Sequence, residues 1–120
     1  MTIRIHGKKD TVIKRIAEAL GSYVDDHPRT VIDVYRRTAV VVRIRLIDPD
    51  LDSLNRARRH AFVWRYLEPL PEETLFHVSL SLLTPTDASE SLVNQDFELE
   101  IAMRRKKKAA RRKSRAKLPL

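Results

Sequence analysis

A run of basic residues near the end of the chain is the part of the sequence whose residue types point most directly to a partner. Residues 104–120 hold 10 Lys+Arg and no acid, whereas residues 1–103 hold 14 Lys+Arg and all 16 Asp+Glu. The formal charges are therefore +10 and −2, so the net +8 comes entirely from the tail. Such a density of cations has two common uses, which are solvation and contact with a polyanion such as nucleic acid. The candidate contact residues are Arg104, Arg105, Lys106, Lys107, Lys108, Arg111, Arg112, Lys113, Arg115 and Lys117.

Few other residues suit catalysis or cofactor binding. The chain has no cysteine, which excludes disulfides, thiolate metal sites and cysteine nucleophiles. Its two glycines, Gly7 and Gly21, are too few for a dinucleotide fingerprint or a phosphate-binding loop. No serine stands in the glycine-flanked turn that exposes a hydrolase nucleophile. We therefore expect a protein that is not an enzyme.

Three carboxylates at alternate positions, Asp48, Asp50 and Asp52, invite comparison with a calcium-binding loop. If Asp48 were the first ligand, the sixth position would be Ser53 where glycine is needed, and the twelfth would be Arg59 where glutamate is needed. We therefore reject a calcium loop. Asp50, Asp52 or Ser53 is expected instead to cap the helix that follows, where negative charge complements the helix dipole.

The elements that would position these residues are best defined over residues 54–83. Apolar residues recur there at spacings of three and four, which predicts a helix over residues 54–67. The residues of its predicted core-facing stripe are Ala57, Ala61, Trp64 and Leu67. After two prolines, residues 75–83 alternate between apolar and polar side chains, which predicts a half-buried strand. Its predicted inward-facing residues are Phe76, Val78, Leu80 and Leu82.

The same stretch resembles the characteristic region of the BolA-like family. The resemblance is carried by Arg59-His60-Ala61-Phe62-Val63 on the helix, and by His77-Val78-Ser79-Leu80-Ser81 with Thr84-Pro85-Thr86-Asp87 on and after the strand. It implies a class II KH-like α+β fold. It also implies that His60 is a metal ligand, one that helps bind an iron-sulfur cluster shared with a monothiol glutaredoxin. The family takes a second ligand, Cys or His, from the loop after the first strand, where Arg36-Arg37-Thr38 offers neither.

The first half of the chain predicts one helix and one hairpin. Asp10 or Thr11 can cap a helix with one broad apolar face, and Gly21 suits its end. Residues 30–36 and 39–47 are rich in β-branched side chains that alternate, and the short link between them implies an antiparallel hairpin. The predicted inward-facing residues of this hairpin are Ile32, Val34, Val40, Val42, Ile44 and Leu46.

These elements together predict a two-layer α+β domain of order αββαβ, with a three-stranded sheet and both helices on one face. Residues 1–9 form an N-terminal arm or weak strand, residues 10–103 the single domain, and residues 104–120 a tail that is disordered when free. Residues 97–101 fit either a strand or a helix. The residues predicted to share one core are Ile16, Val42, Ile44, Leu46, Trp64, Leu67, Val78 and Leu80.

Two regions of this predicted domain would be available to solvent. The sheet face away from the helices would be open to solvent or a partner. The residues predicted on that face are Asp33, Arg43, Arg45, His77, Ser79 and Ser81. His27, in the polar link before Pro28, is expected to be solvated.

The leading functional hypothesis is a small non-enzymatic adaptor or nucleic-acid-associated protein of BolA-like or KH-like fold, whose polycationic tail contacts nucleic acid. One alternative is an iron-sulfur accessory protein that partners a monothiol glutaredoxin, and a second is a protein-protein interaction module whose tail binds an acidic partner. No cofactor is expected in the isolated protein. No apolar run approaches the roughly 20 residues that span a bilayer, so we expect a cytoplasmic protein without a membrane partner.

Overall fold

The β-branched hairpin forms the centre of a four-stranded sheet in a computed structural model that describes residues 3–116, with side chains through residue 111. The strands are β1 (Ile3–His6), β2 (Val31–Thr38), β3 (Val41–Ile47) and β4 (Val78–Leu83). The helices are α1 (Thr11–Asp26), α2 (Arg56–Leu67), α3 (Glu72–Leu75), α4 (Pro85–Glu90) and α5 (Leu92–Ala116), and one 3₁₀ turn spans Pro49–Leu51. The predicted α+β class is confirmed.

The sheet is mixed, with strand order β1-β2-β3-β4. β2 and β3 form the predicted antiparallel hairpin, whereas β1 runs parallel to β2 and β4 parallel to β3. Parallel neighbours require crossover connections, which α1 supplies on one side and α2 with α3 on the other. The prediction of three strands was wrong because β1 has only four residues, too short a pattern to distinguish from a loose terminus.

The main core lies between the sheet and the helices α1 and α2, on what we call the first face. The eight residues predicted to share one core do so, five of them fully buried and three partly buried against the others. The prediction that Val40 and Phe76 face the core was wrong. Val40 is 66% exposed because it lies in the hairpin turn, and Phe76 is 78% exposed because it follows α3 outside β4.

Helix ends and buried faces differ from the sequence predictions where tertiary contacts override local pattern. Asp10 caps α1 as expected, its carboxylate accepting from the Ile13 N–H at 2.9 Å. The helix nevertheless continues through Gly21 to Asp26, because the buried side chain of Tyr23 extends its packed face.

Within residues 3–116, none of the helices has both the length and the apolar character that a bilayer crossing requires.

The N-terminus of α2 also differs from its prediction. Asn55 is the cap, and Asp48 caps the 3₁₀ turn instead. The buried residues of α2 are Val63 and Leu67, whereas the alanines of the predicted stripe are exposed. Only the C-terminal half of α2 contributes buried side chains, which spacing alone does not reveal.

The prediction of a disordered tail is corrected by α5, which is helical from residue 92 through residue 116. Lysine, arginine and alanine are strong helix formers, and the packed first half of α5 removes the nucleation cost for the second half. Cations near the C-terminal end of a helix also interact favourably with its dipole. The predicted boundary after residue 103 therefore falls inside one continuous helix, and residues 117–120 lie outside the described residues.

Candidate nucleic-acid interface

The first half of α5 packs on the second face of the sheet, opposite to the core side. Phe97 and Ile101, one helical turn apart, form a small buried cluster with Tyr35 of β2. The Phe97 and Tyr35 rings meet edge to face at 4.8 Å between centroids. The guanidinium groups of Arg43 and Arg45 lie 5.4 Å and 4.8 Å from the centre of the Phe97 ring. Apolar contact and cation–π attraction together hold the helix.

Beneath α5 lies a buried ion pair between Asp33 and Arg45. Arg45 Nη2 donates to Asp33 Oδ2 at 2.6 Å, and both side chains are almost entirely buried. Arg4 Nε lies 2.8 Å and His6 Nε2 lies 2.7 Å from Asp33 Oδ1. Burial alone would raise the pKa of Asp33, but these hydrogen bonds outweigh it and hold that pKa well below its usual range. The carboxylate therefore stays charged because it is fully paired.

The same buried arginine connects the sheet to α5. Arg45 Nη1 donates to Asn94 Oδ1 at 2.8 Å and also pairs with Glu98. Burial would lower the pKa of Arg45, yet hydrogen bonds to Asp33 and Glu98 raise it above its ordinary value. Arg43 likewise contacts Asp96, at 3.3 Å. The prediction that the whole second face is open was therefore wrong for Asp33, Arg43 and Arg45, which are buried, whereas Ser79 on the β4 side is exposed.

Among the residues of α5 whose side chains are described, Arg104 is the last that forms a hydrogen bond with the body. Its Nη2 donates to the Arg36 carbonyl at 2.8 Å, its Nε donates to Glu100 Oε1 at 3.0 Å, and its guanidinium lies 4.7 Å from the centre of the Tyr35 ring. Gly7 makes room for it, since a Cβ there would lie 3.2 Å from Arg104 Nη1 and the backbone φ is +99°. Among the ten candidate contact residues, Arg104 therefore serves docking.

From Arg105 to Arg111, where the side chains are described, the helix carries five exposed cations. Arg105, Lys106, Lys107, Lys108 and Arg111 are exposed, and no carboxylate among the described residues lies within ion-pair distance of them. Arg112, Lys113 and Arg115 belong to the same helix, and Lys117 lies outside the described residues.

The linear density of this charge is close to that of nucleic acid. Residues 105–115 contain eight cations and rise by about 16 Å along the helix axis, which is roughly one charge per 2 Å. Duplex DNA carries about one negative charge per 1.7 Å of its axis. The second half of α5 can therefore act as a cationic rod that is matched in charge density to a phosphate backbone.

His60, the predicted iron ligand, is exposed on α2. Its ring stacks on Trp64 with 5.2 Å between centroids and 17° between planes. It borders a groove of about 610 Å³ between α2 and β4, the strand at the sheet edge. Among the described residues, His60 belongs to no group of three His, Asp or Glu side chains close enough to share an ion.

Three other residues that carry the BolA-like resemblance, Arg59, Thr84 and Asp87, form hydrogen bonds within this fold. Arg59 Nε donates to the carbonyls of Leu51 and Leu54, at 3.1 Å and 2.8 Å, and Arg59 Nη1 lies 2.6 Å from Asp87 Oδ2. Thr84 and Asp87 form a reciprocal capping box at the start of α4. The Arg59 guanidinium accordingly holds the pKa of Asp87 below its ordinary value.

The prediction that His27 is solvated was wrong. Its side chain is only 16% exposed, stacks on Tyr23, and approaches Asp50 Oδ2 to 2.8 Å with Nδ1. The sequence carries no local signal for this contact, because 23 positions separate the two residues and only the fold brings them together.

Comparison of the chain with protein-family models, with curated proteins and with solved structures finds no match.

Proposed function

We propose that this protein is a non-enzymatic adaptor that binds nucleic acid through the second half of α5. The observation that carries the proposal is the exposed helical run Arg105, Lys106, Lys107, Lys108 and Arg111, whose charges have no acidic partner among the described residues. Unpaired cations at this density repel each other along the helix, and a polyanion relieves that repulsion. Binding therefore also favours the helical form of the segment.

The remainder of the chain is less suited to this role. Residues 1–103 carry a formal charge of −2. KH domains clamp the nucleic-acid backbone with a GXXG loop, and the two glycines of this chain, Gly7 and Gly21, cannot form one. In the proposed binding mode, phosphate contacts from α5 supply the affinity for nucleic acid, and no KH-type loop takes part.

Binding of this kind should discriminate little between sequences. Residues 105–111 contain only lysine, arginine and alanine, so they offer no amide to read a base edge and no aromatic ring to stack on one. Phosphate contacts position a protein on nucleic acid but carry no sequence information. We expect similar affinities for unrelated duplex sequences.

A salt titration tests the proposal. If about 5 phosphates are neutralised, the slope of log affinity against log salt is near −4.5, which is roughly a 500-fold loss between 50 and 200 mM. Replacing residues 105–108 with glutamine keeps Arg104 docked and should flatten the slope by up to about 3.6. The measurement is fluorescence anisotropy with duplex DNA and with single-stranded RNA.

The matched control removes four exposed cations elsewhere, by Gln substitutions at Lys9, Lys14, Arg15 and Arg58. Both variants lower the net charge equally, so a general charge effect would change both slopes alike. Equal slopes for the two variants would show that residues 105–108 contribute no more than other surface cations, which would overturn the proposal. Absence of binding by the unmodified chain would favour an acidic protein surface as the partner.

A second candidate, favoured by the exposed position of His60 beside the groove, is an iron-sulfur accessory role with a monothiol glutaredoxin. Mixing the anaerobic protein with cluster-loaded glutaredoxin should then change the visible absorption and circular dichroism of the cluster. His60→Ala should abolish the change and His77→Ala should preserve it. An unchanged spectrum, or the same change with His60→Ala, excludes ligation by His60.

A further inference from the structure

We propose that His27, Asp48 and Asp50 bind a divalent transition-metal ion. His27 Nδ1 lies 2.8 Å from Asp50 Oδ2 and 3.7 Å from Asp48 Oδ2. One nitrogen and two carboxylate oxygens, one from each residue, all lie within 4.8 Å of one another. The three residues come from two separate segments, the end of α1 and the link between β3 and α2. Tertiary structure alone creates the group.

The spacing of these atoms suits a small ion. Zinc–nitrogen and zinc–oxygen bonds are about 2.0–2.2 Å, so two ligand atoms of a tetrahedral site lie roughly 3.4 Å apart. The distances of 2.8 Å and 3.7 Å from His27 Nδ1 lie on either side of that value. Asp50 is exposed, so rotation of its side chain can lengthen the 2.8 Å distance towards that value.

The surroundings hold two of the ligands in place. The His27 ring stacks on Tyr23 at 4.5 Å and meets Phe62 at 5.1 Å, so aromatic contacts fix its plane. The Asp48 side chain is fully buried, with Oδ1 accepting from the Asp50 N–H at 2.9 Å and Oδ2 from the Tyr23 hydroxyl at 2.6 Å. Hydrogen bonds of this kind orient metal ligands in proteins.

A buried hydroxyl without a partner lies beside the group. Thr30 is fully buried, and its Oγ1 forms no hydrogen bond within the described part of the chain. Val31 pairs with Ile47, and the sheet continues through the extended Asp48, whose N–H bonds the Leu83 carbonyl. The Thr30 N–H also donates to the His27 carbonyl at 3.1 Å. Continuing the strand register by one residue would set Thr30 opposite Asp48 on the first face, and residues opposite each other on antiparallel strands have Cβ atoms about 4.5–5.5 Å apart.

An ion at this position would supply the hydroxyl with a partner. Three protein ligands leave a tetrahedral ion one position for water. A bound water can bond the Thr30 hydroxyl, which removes the cost of a buried polar group without a partner. The ligand group and the unpartnered hydroxyl thus lie in the same part of the fold, joined by the hydrogen bond from Thr30 to His27.

Charge and donor type define the class of ion. Arg29 pairs with Asp50 Oδ1 at 2.5 Å and leaves Oδ2 directed to His27, so with His27 neutral the group keeps a net negative charge. Imidazole nitrogen suits Zn²⁺, Co²⁺ and Fe²⁺, whereas Ca²⁺ and Mg²⁺ prefer all-oxygen sites. The expected ligand is therefore a transition-metal ion that links the end of α1 to the segment before α2.

Titration of the chelator-treated full chain with Zn²⁺ tests the proposal. Zn²⁺ at about a hundredfold excess over its Kd should raise Tm by roughly 10 °C, and Ca²⁺ or Mg²⁺ should not. Co²⁺ should give visible absorption bands at a stoichiometry of one. His27→Gln and Asp50→Asn should remove the shift and the bands, while His60→Gln and Asp52→Asn should retain both.

Thr30→Val provides a test that does not depend on removing a ligand. It should leave the metal-free Tm unchanged or higher, since the hydroxyl has no partner without the ion, and should weaken Zn²⁺ binding by about 10-fold or more. The proposal is overturned if Zn²⁺ leaves Tm unchanged, or if His60→Gln removes the response and His27→Gln does not. The first outcome would leave a plain hydrogen-bond network at this position.

Discussion

Replacing Asp33 with Asn should lower the free energy of unfolding by about 3 to 5 kcal/mol. The Asp33 carboxylate is fully buried and contacts three basic side chains, Arg4, His6 and Arg45. Arg45 is itself 2% exposed, so an amide at position 33 removes its buried carboxylate partner and leaves it paired with Glu98, whose side chain is 59% exposed. Breaking a buried pair in this way is far more costly than losing a surface pair.

Urea unfolding of the two proteins measures this effect. The matched control is Asp96→Asn, because Asp96 also pairs with a strand arginine but is 69% exposed. We expect the control to change stability by less than about 0.5 kcal/mol. Similar urea midpoints for the two variants would show that Asp33 is not the buried centre of this ion network.

The difference between wild type and Asp33→Asn should also depend on pH. Because the folded-state pKa of Asp33 lies below its unfolded value of about 3.9, the ionised carboxylate stabilises the fold fully above that unfolded value. The stabilisation is lost as pH falls below about 4 towards the lower folded pKa. The difference in unfolding free energy should therefore be smaller at pH 3 than at pH 5.

Phe97→Ala should destabilise the protein by about 3 to 5 kcal/mol, the usual effect of truncating a buried phenylalanine. Phe97 is fully buried, contacts Tyr35 and lies beneath the guanidinium groups of Arg43 and Arg45. Its loss removes the main apolar anchor of α5. Thermal unfolding followed by circular dichroism measures the change.

Leu99→Ala is the control for that substitution, since Leu99 lies on the same helix but is 66% exposed. It removes a comparable apolar side chain and should shift stability by less than about 0.5 kcal/mol. If the two variants unfolded at the same temperature, α5 would not be packed through Phe97. Hydrogen exchange should separately show faster exchange along residues 92–104 in Phe97→Ala.

Local pattern in the sequence was sufficient to predict the centre of the fold. Alternation in residues 30–36 and 39–47 identified the hairpin and, except for Val40 in the turn, which residues face the core, because one buried face imposes a period of two on a strand. The cap at Asp10 and the eight shared core residues followed from the same local rules. The segregation of charge into the tail also needed only counting.

The candidate site was predicted in part. Sequence identified the cations of residues 104–117 but assigned them to a disordered tail, because composition does not show that a docked helix precedes them. It also treated all ten as equivalent, whereas Arg104 is engaged by the Arg36 carbonyl and the Tyr35 ring. The exposed position of His60 agrees with its expected role without testing it.

Tertiary structure alone decided three features, each of which depends on residues far apart in the chain. The pairing of β1 with β2 turned a weak pattern into a strand, and the packing of Phe97 on Tyr35 selected helix over strand for residues 97–101. The approach of His27 to the Asp48 region came from the same kind of distant contact. Spacing along a sequence reports which face a residue occupies on its own element, but burial and ion pairing are fixed by which elements meet.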